Sequence, residues 1–174
     1  MPRSYSAALP TAHLALRILI VLNWAYGAAI VVLLIATIVA KEWTMIALGI
    51  PHESEIRILI MPLRAIALLG LAAIPLNDAI LRRLLAIVET VRNGDPFVAA
   101  NAHRLQSIGW VLLTLQLISM VIGAIAKVAS SPAHPLHIDA GFSVSGWLAV
   151  LLTFILARVF AGGALMREDL EGTV

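Results

Sequence analysis

The sequence predicts an all-α integral membrane protein, a bundle of four membrane-spanning helices with both termini in the cytoplasm. Apolar residues make up 61% of the 174 residues and charged residues 13%, against roughly 45–50% and 25% in soluble domains. The mean hydropathy is +0.98. Four spans of about 20 residues would fill roughly half of the chain. We therefore expect a single transmembrane domain over residues 1–174, since no room remains for a second domain of ordinary size.

Four long apolar runs define the predicted spans, which cover residues 14–40, 58–81, 107–128 and 145–166. The first run is about twice as long as the apolar region of a signal peptide, so we expect it to remain in the mature protein. The side chains of Trp43, Trp110 and Trp147 lie near predicted span ends, where amphipathic rings favour the headgroup layer.

The positive charges outside the spans or close to their ends are unevenly distributed between the two sides of the membrane. One side carries seven (Arg3, Arg17, Arg82, Arg83, Arg92, Arg104 and Arg167) and the other carries three (Lys41, Arg57 and Lys127). By the positive-inside rule, this asymmetry predicts that both termini are cytoplasmic.

The segment after the second span predicts a cytoplasmic helical hairpin. Apolar residues continue at helical spacing as far as Val91, so spans 2 and 3 are expected to extend beyond the membrane. Gly94 is a helix stop, and Asp95 followed by Pro96 predicts an N-cap and the first residue of the next helix.

The hairpin and the C-terminal end resemble a known family. The residues that carry the resemblance are Asn93–Val98, Asn101, Arg104–Leu105, Ile108–Gly109, Phe160, Gly163, Leu165, Glu168–Asp169 and Gly172–Val174. They are similar to bacterial four-span inner-membrane proteins catalogued as a domain of unknown function, whose genes often lie beside a small helix-turn-helix regulator. The resemblance implies a bacterial inner-membrane location and, at most, a membrane partner for a cytoplasmic regulator.

We expect the hairpin and the acidic C-terminal tail to bind a cytoplasmic protein, and a regulator of this kind is the candidate that the resemblance implies. The residues assigned to this surface are Gly94, Asp95, Pro96, Phe97, Asn101, Arg104, Glu168 and Asp169. The tail is expected to fold against the basic hairpin or to be presented to the partner. Anchoring to anionic lipid is the alternative explanation of the basic residues. The net charge of +2 is too small to indicate direct binding of nucleic acid.

Of the polar residues inside the predicted spans, four are candidate functional residues: Asn23, Arg64, Gln116 and Arg158. The spans offer no acid except Asp78 at the inner end of span 2, so both arginines are expected to have neutral neighbours. Asn23, Gln116 and Arg158 fall at similar depths, which predicts a midplane cluster, and Thr114 and Thr153 could add acceptors. The cluster would bind a lipid headgroup or small anion, or it would join the helices through hydrogen bonds.

Catalytic and cofactor signatures are missing from the sequence. It contains no cysteine and no Gly-x-Ser-x-Gly, phosphate-binding glycine loop or His-Glu-x-x-His. We therefore expect a non-enzymatic protein without a cofactor. The loop residues His134, His137, Asp139, His52, Glu53 and Glu55 are a weak metal signal, and we interpret them as solvated polar residues. Small-residue pairs such as Ala157 and Ala161 favour close packing within the monomer, with a homo-oligomer as the alternative.

Overall fold

The computed structural model describes residues 5–40, 43–44, 47, 53–130 and 139–171, and it describes the side chains of all of these except residues 5–8, 53–58 and 168–171. Within these ranges the chain forms four long helices and no strand: α1 (Tyr5–Val39), α2 (Glu53–Arg92), α3 (Ala99–Ala129) and α4 (Val144–Glu171). The predicted all-α fold is therefore confirmed.

All four helices are long and apolar enough to cross a membrane, over Leu9–Val39, Leu59–Arg92, Ala99–Ala129 and Val144–Arg167. Each of these stretches covers most or all of one predicted span. The 40 residues of α2 correspond to roughly 60 Å of helix, about twice the thickness of the hydrocarbon layer. The predicted extension of span 2 beyond the membrane is thus confirmed by the length of the helix.

Large apolar side chains are exposed along the helices. Leu22, Ile35, Val121 and Leu151 each have about half of their surface exposed. A soluble monomer rarely exposes such extensive apolar surface, whereas lipid tails are as apolar as these side chains. The surface therefore agrees with the sequence in indicating a protein that spans a lipid bilayer.

The helices divide into two compact units. One contains the start of α1 as far as Leu22, the segment Leu76–Thr114, and α4. The other contains Asn23–Pro75 and Leu115–Ser143. The hairpin and its contacts with α4 belong to the first unit, and the contacts between α1 and the first half of α2 belong to the second.

In the second unit, helices α1 and α2 approach closely at a glycine. A Cβ atom on Gly27 would lie 3.1 Å from a Cγ atom of Ile74, and the Ile74 side chain is buried. Near the start of its membrane span, α2 buries Leu59 and Ile60, against which Leu63 and Ala129 pack. Small residues at close approach points allow dense packing where lipid supplies no hydrophobic driving force.

The segment before α4 packs against α3 in the same unit. The Gly141 amide donates to the Ser119 hydroxyl oxygen at 3.2 Å, and the Gln116 side-chain amide donates to the Gly141 carbonyl at 3.4 Å. A Cβ atom on Gly123 would lie 2.6 Å from the Ala140 carbonyl oxygen. Side chains of α3 thus satisfy non-helical backbone groups, which cannot pair within a helix of their own.

The predicted start of α3 at Pro96 is wrong. The helix begins at Ala99, and residues 95–98 are non-helical. The Asp95 carboxylate is engaged by Arg167, and the Phe97 ring packs against Phe160. Tertiary contacts therefore hold this segment in a conformation that local capping preferences do not favour.

Candidate functional site

Gly94 ends α2 in a Schellman motif, as the sequence predicts. Its φ of +83° lies in the left-handed region, which glycine adopts without the strain that a Cβ atom brings. The Gly94 amide donates to the Val91 carbonyl and the Asp95 amide to the Thr90 carbonyl, both at 3.1 Å. These are the two bonds of the motif, and they fix the direction in which the chain leaves the helix.

Asn101 is the central residue of the hairpin and is fully buried, with 0% of its surface exposed. Its side-chain amide donates to the Thr90 hydroxyl at 2.7 Å and to the Pro96 carbonyl at 2.9 Å. Its side-chain oxygen accepts a bond of 2.7 Å from the Arg104 guanidinium. One side chain therefore joins α2, the turn and α3.

Phe97 attaches the turn to α4. Its ring centroid lies 5.3 Å from that of Phe160, and a Cβ atom on Gly163 would lie 2.8 Å from Phe97 Cδ1. The side chain is nevertheless 44% exposed. Phe97 is therefore both a packing residue of the turn and an apolar group on its surface.

An ion pair between Asp95 and Arg167 joins the hairpin to the end of α4. The sequence predicted that acidic residues of the tail would contact basic residues of the hairpin. In the described pair the charges are the other way round, because the base, Arg167, lies on α4 and the acid, Asp95, lies in the turn. The backbone of Glu168 and Asp169 continues α4, and the side chains of these two residues lie outside the described part. The predicted role of the acidic tail stays a prediction.

Asn23 and Gln116, two of the three residues of the predicted midplane cluster, bind backbone carbonyls. The Asn23 amide donates to the Ile74 carbonyl at 3.0 Å, and Gln116 donates to Gly141. Arg158 belongs to the other compact unit. The hydroxyls of Thr114 and Thr153 donate to carbonyls of their own helices, four residues earlier. Backbone carbonyls thus accept hydrogen bonds from both side-chain amides, and the predicted cluster with Arg158 stays a prediction.

Arg64 has neutral partners, as expected, and both belong to Thr37. Its guanidinium donates to the Thr37 carbonyl at 2.6 Å and to the Thr37 hydroxyl at 3.3 Å. Thr37 lies in the last turn of α1, where helix carbonyls lack intrahelical donors, and it is buried. Arg64 therefore caps the C-terminal end of α1, where positive charge is also favourable to the helix dipole.

Arg158 lines a cavity in the first unit, between the beginning of α3 and the middle of α4. The cavity has a volume of about 460 Å³. The polar side chains of His103, Gln106 and Arg158 line it together with alanines of both helices, and Phe154 lies at its end. A cation with two neighbouring hydrogen-bonding side chains provides suitable chemistry for an anion.

The weak metal signals of the sequence receive no support from the described residues. Among them, no group of three or more histidine, aspartate or glutamate side chains is placed to hold a metal ion. His52, His134 and His137, and the side chains of Glu53 and Glu55, lie outside the described part. Asp139 is described and exposed.

The site residues that sequence reasoning missed include Thr37, Thr90, His103 and Gln106. For Thr37, a threonine in the last turn of a helix is only a weak signal for an arginine cap. For Thr90, the hydroxyl donates to the Ile87 carbonyl of its own helix, and the sequence does not show that it also accepts a bond from Asn101. The spacing of His103 three residues before Gln106 places both on one helical face. The sequence does not show that this face of α3 lies beside Arg158 of α4, so the cavity that the three residues line could not be predicted.

The comparisons with known proteins identify a family. Residues 48–174 match the family described as "Protein of unknown function (DUF2975)". No curated protein matches the chain, and no solved structure matches it. The matched region contains nearly three quarters of the residues, including the hairpin, α3 and α4. The chain is thus a member of the DUF2975 family.

Proposed function

We propose that this integral membrane protein is non-enzymatic and tethers a cytoplasmic partner protein through the α2–α3 hairpin and the C-terminal end of α4. The proposal includes a location in the bacterial inner membrane with both termini in the cytoplasm. A transcription regulator is the partner we favour, because the resemblance of the hairpin sequence implies one.

The observation that supports this proposal is the preorganisation of the hairpin. The buried amide of Asn101 fixes the turn to both flanking helices, and Asp95 binds Arg167 of α4. A surface held in one conformation loses little entropy on binding a partner. The exposed part of Phe97 and the exposed Arg92 supply residue types that are enriched in protein interfaces.

The charge distribution supports the assignment of this surface to the cytoplasm. Arg82, Arg83 and Arg92 follow the apolar part of α2, and Arg104 and Arg167 lie in the adjoining helices. Clusters of arginine next to a span are typical of the cytoplasmic side. A partner with an acidic surface would therefore be steered toward the hairpin.

Affinity capture of the full chain from its native membrane in mild detergent tests the proposal, with the bound proteins identified by mass spectrometry. The informative variant is Arg92→Glu, and its matched control is Lys127→Glu. Both residues are exposed, and each is the basic residue in the last turn of its helix. Any effect on the helix dipole is therefore common to the two variants.

We expect a soluble protein that is retained by the native chain and by Lys127→Glu, and that is reduced about fivefold or more by Arg92→Glu. Deletion of Glu168–Val174 is expected to reduce its recovery as well. The proposal would be contradicted if the native chain, the two point variants and the deletion variant recovered the same soluble proteins in equal amounts.

Binding of a lipid or small anion within the bundle is the second candidate function. Backbone carbonyls already accept hydrogen bonds from Asn23, Gln116 and Arg64, so these three residues favour a structural role. The position of Arg158 on a cavity is the observation that keeps the second candidate in consideration.

A further inference from the structure

The cavity between α3 and α4 combines a cation with an apolar wall. We propose that it binds one anionic phospholipid from the leaflet on the hairpin side, with the lipid phosphate against Arg158 and hydrogen bonds from His103 and Gln106. This inference deepens the second candidate function and is independent of the tethering of a partner protein.

Arg158 lacks a partner within the part of the chain that the structure describes. It donates no hydrogen bond there and forms no ion pair, and the same holds for His103 and Gln106. By contrast, the intramembrane cation Arg64 is bound by Thr37. A guanidinium within a span is unfavourable without acceptors. A phosphate satisfies it with two parallel hydrogen bonds and a full opposite charge.

The packing of α3 against α4 fixes the level of Arg158. A Cβ atom on Gly109 would lie 3.0 Å from the Phe154 ring, and the rings of Phe97 and Phe160 are in contact nearer the turn. The two helices therefore run antiparallel here. Arg158, one turn beyond Phe154, is level with the turn that precedes Gly109, near Leu105.

The packing of α3 against α2 gives the same level relative to the charges of α2. Asn101 is bonded to Thr90, so Leu105, four residues later, is level with Ala86, four residues earlier. The ion pair of Arg82 with Asp78 lies one to two turns further from the hairpin, or about 6–12 Å. Arg158 therefore lies on the headgroup side of a charged pair, at a depth that a lipid phosphate can reach.

The wall of the cavity away from the hairpin suits an acyl chain. Phe154 lies at that end, and its ring meets Trp110 edge to face with centroids 5.3 Å apart. The Trp110 side chain is 57% exposed. A volume of about 460 Å³ is within the range of small-molecule sites, roughly 300–1,000 Å³. A free phosphate would leave these aromatic rings uncovered, so the observations favour a lipid.

Native mass spectrometry of the full chain in detergent tests this assignment. The probes are dioleoyl phosphatidylglycerol, dioleoyl phosphatidylcholine and inorganic phosphate. The variant is Arg158→Gln, and the matched control is Arg92→Gln, which removes another exposed cation of the same unit that has no described partner. We expect selective retention of phosphatidylglycerol, reduced about tenfold by Arg158→Gln and less than about twofold by Arg92→Gln.

Two further arms keep the test decisive. If Arg158→Gln does not fold, the double variant His103→Ala/Gln106→Ala replaces it, because both side chains are exposed, and the same selective loss is expected. Equal losses in Arg158→Gln and Arg92→Gln would overturn the assignment. So would displacement of the lipid by millimolar phosphate, or a change of oligomeric state in place of lipid loss. This experiment does not measure recovery of a soluble partner, so failure of the tethering proposal leaves the lipid result unaffected.

Discussion

The side-chain amide of Asn101 donates a hydrogen bond of 2.7 Å to the hydroxyl of Thr90 across the α2–α3 turn. The same amide binds the Pro96 carbonyl, and its oxygen accepts a bond from Arg104. Because Asn101 is fully buried, water cannot replace these bonds if the side chain is removed. The geometry of the hairpin therefore depends on Asn101 as well as on Gly94 and on the contacts of the turn with α4.

We expect Asn101→Ala to lower the free energy of unfolding by about 2–3 kcal/mol, since it removes three side-chain hydrogen bonds and leaves buried groups unsatisfied. Asn93→Ala, at an exposed asparagine of the same turn, is expected to change it by less than about 0.5 kcal/mol. Titration with dodecyl sulfate in mild-detergent micelles, followed by far-UV circular dichroism, measures both. Equal stabilities of the two variants would show that the turn does not depend on Asn101.

Two adjacent glycines of α4 are expected to respond in opposite ways to alanine. A Cβ atom on Gly163 would lie 2.8 Å from the Phe97 ring, whereas a Cβ atom on Gly162 would meet no atom within 4 Å. Gly163→Ala therefore displaces Phe97 and should lower the free energy of unfolding by about 1–3 kcal/mol. Gly162→Ala should raise it by up to about 1 kcal/mol, because alanine is the better helix former. The same titration distinguishes them, and a loss of stability in Gly162→Ala would refute the assigned packing.

The spans and the end of α2 could be predicted from the sequence because both depend on local properties. A helix must satisfy its own backbone in lipid, so an apolar run of sufficient length has few alternative structures. The φ of +83° at Gly94 is likewise a requirement of one residue, and glycine meets it more readily than others.

The partners of the polar residues could not be predicted, since they lie far apart in the sequence. Arg64 and Thr37 are separated by 27 positions, and Asp95 and Arg167 by 72. The position of a residue along its span limits the residues it can reach, but it does not show which faces of the helices are in contact. The start of α3 at Ala99 was missed for the same reason, because Phe160 and Arg167 hold the preceding segment from another helix.

Gly123 is expected to be essential for packing of the segment before α4. Its Cβ atom would lie 2.6 Å from the Ala140 carbonyl oxygen and 2.7 Å from Gly141 Cα, and backbone atoms cannot rotate away as a side chain does. We expect Gly123→Ala to lower the free energy of unfolding by about 2–3 kcal/mol and to increase protease cleavage after residue 139. Gly70→Ala is the control, because its nearest contact would be an ordinary 3.6 Å to Ile30. Equal cleavage of the two variants would argue against close packing at Gly123.

The two arginines within the spans are expected to differ in their contribution to stability. Arg64 binds the Thr37 carbonyl and hydroxyl near the end of α1, so Arg64→Leu removes charge-assisted bonds from a helix terminus. Arg64 lies six residues after the start of the predicted second span at residue 58. At this depth, about 9 Å along the helix, the gain from inserting leucine is smaller than at the centre of the bilayer. We therefore expect a net loss of about 1–2 kcal/mol in the free energy of unfolding.

Arg158→Leu provides the comparison, since Arg158 has no described partner to lose. In detergent without anionic phospholipid, we expect its stability to equal or exceed that of the native chain. Addition of phosphatidylglycerol should then stabilise the native chain and Arg64→Leu but not Arg158→Leu, because a bound ligand stabilises only a protein that retains its site. Thermal unfolding of the three proteins with and without the lipid measures these differences. Equal stabilisation of all three proteins would indicate that the lipid acts at a site without Arg158.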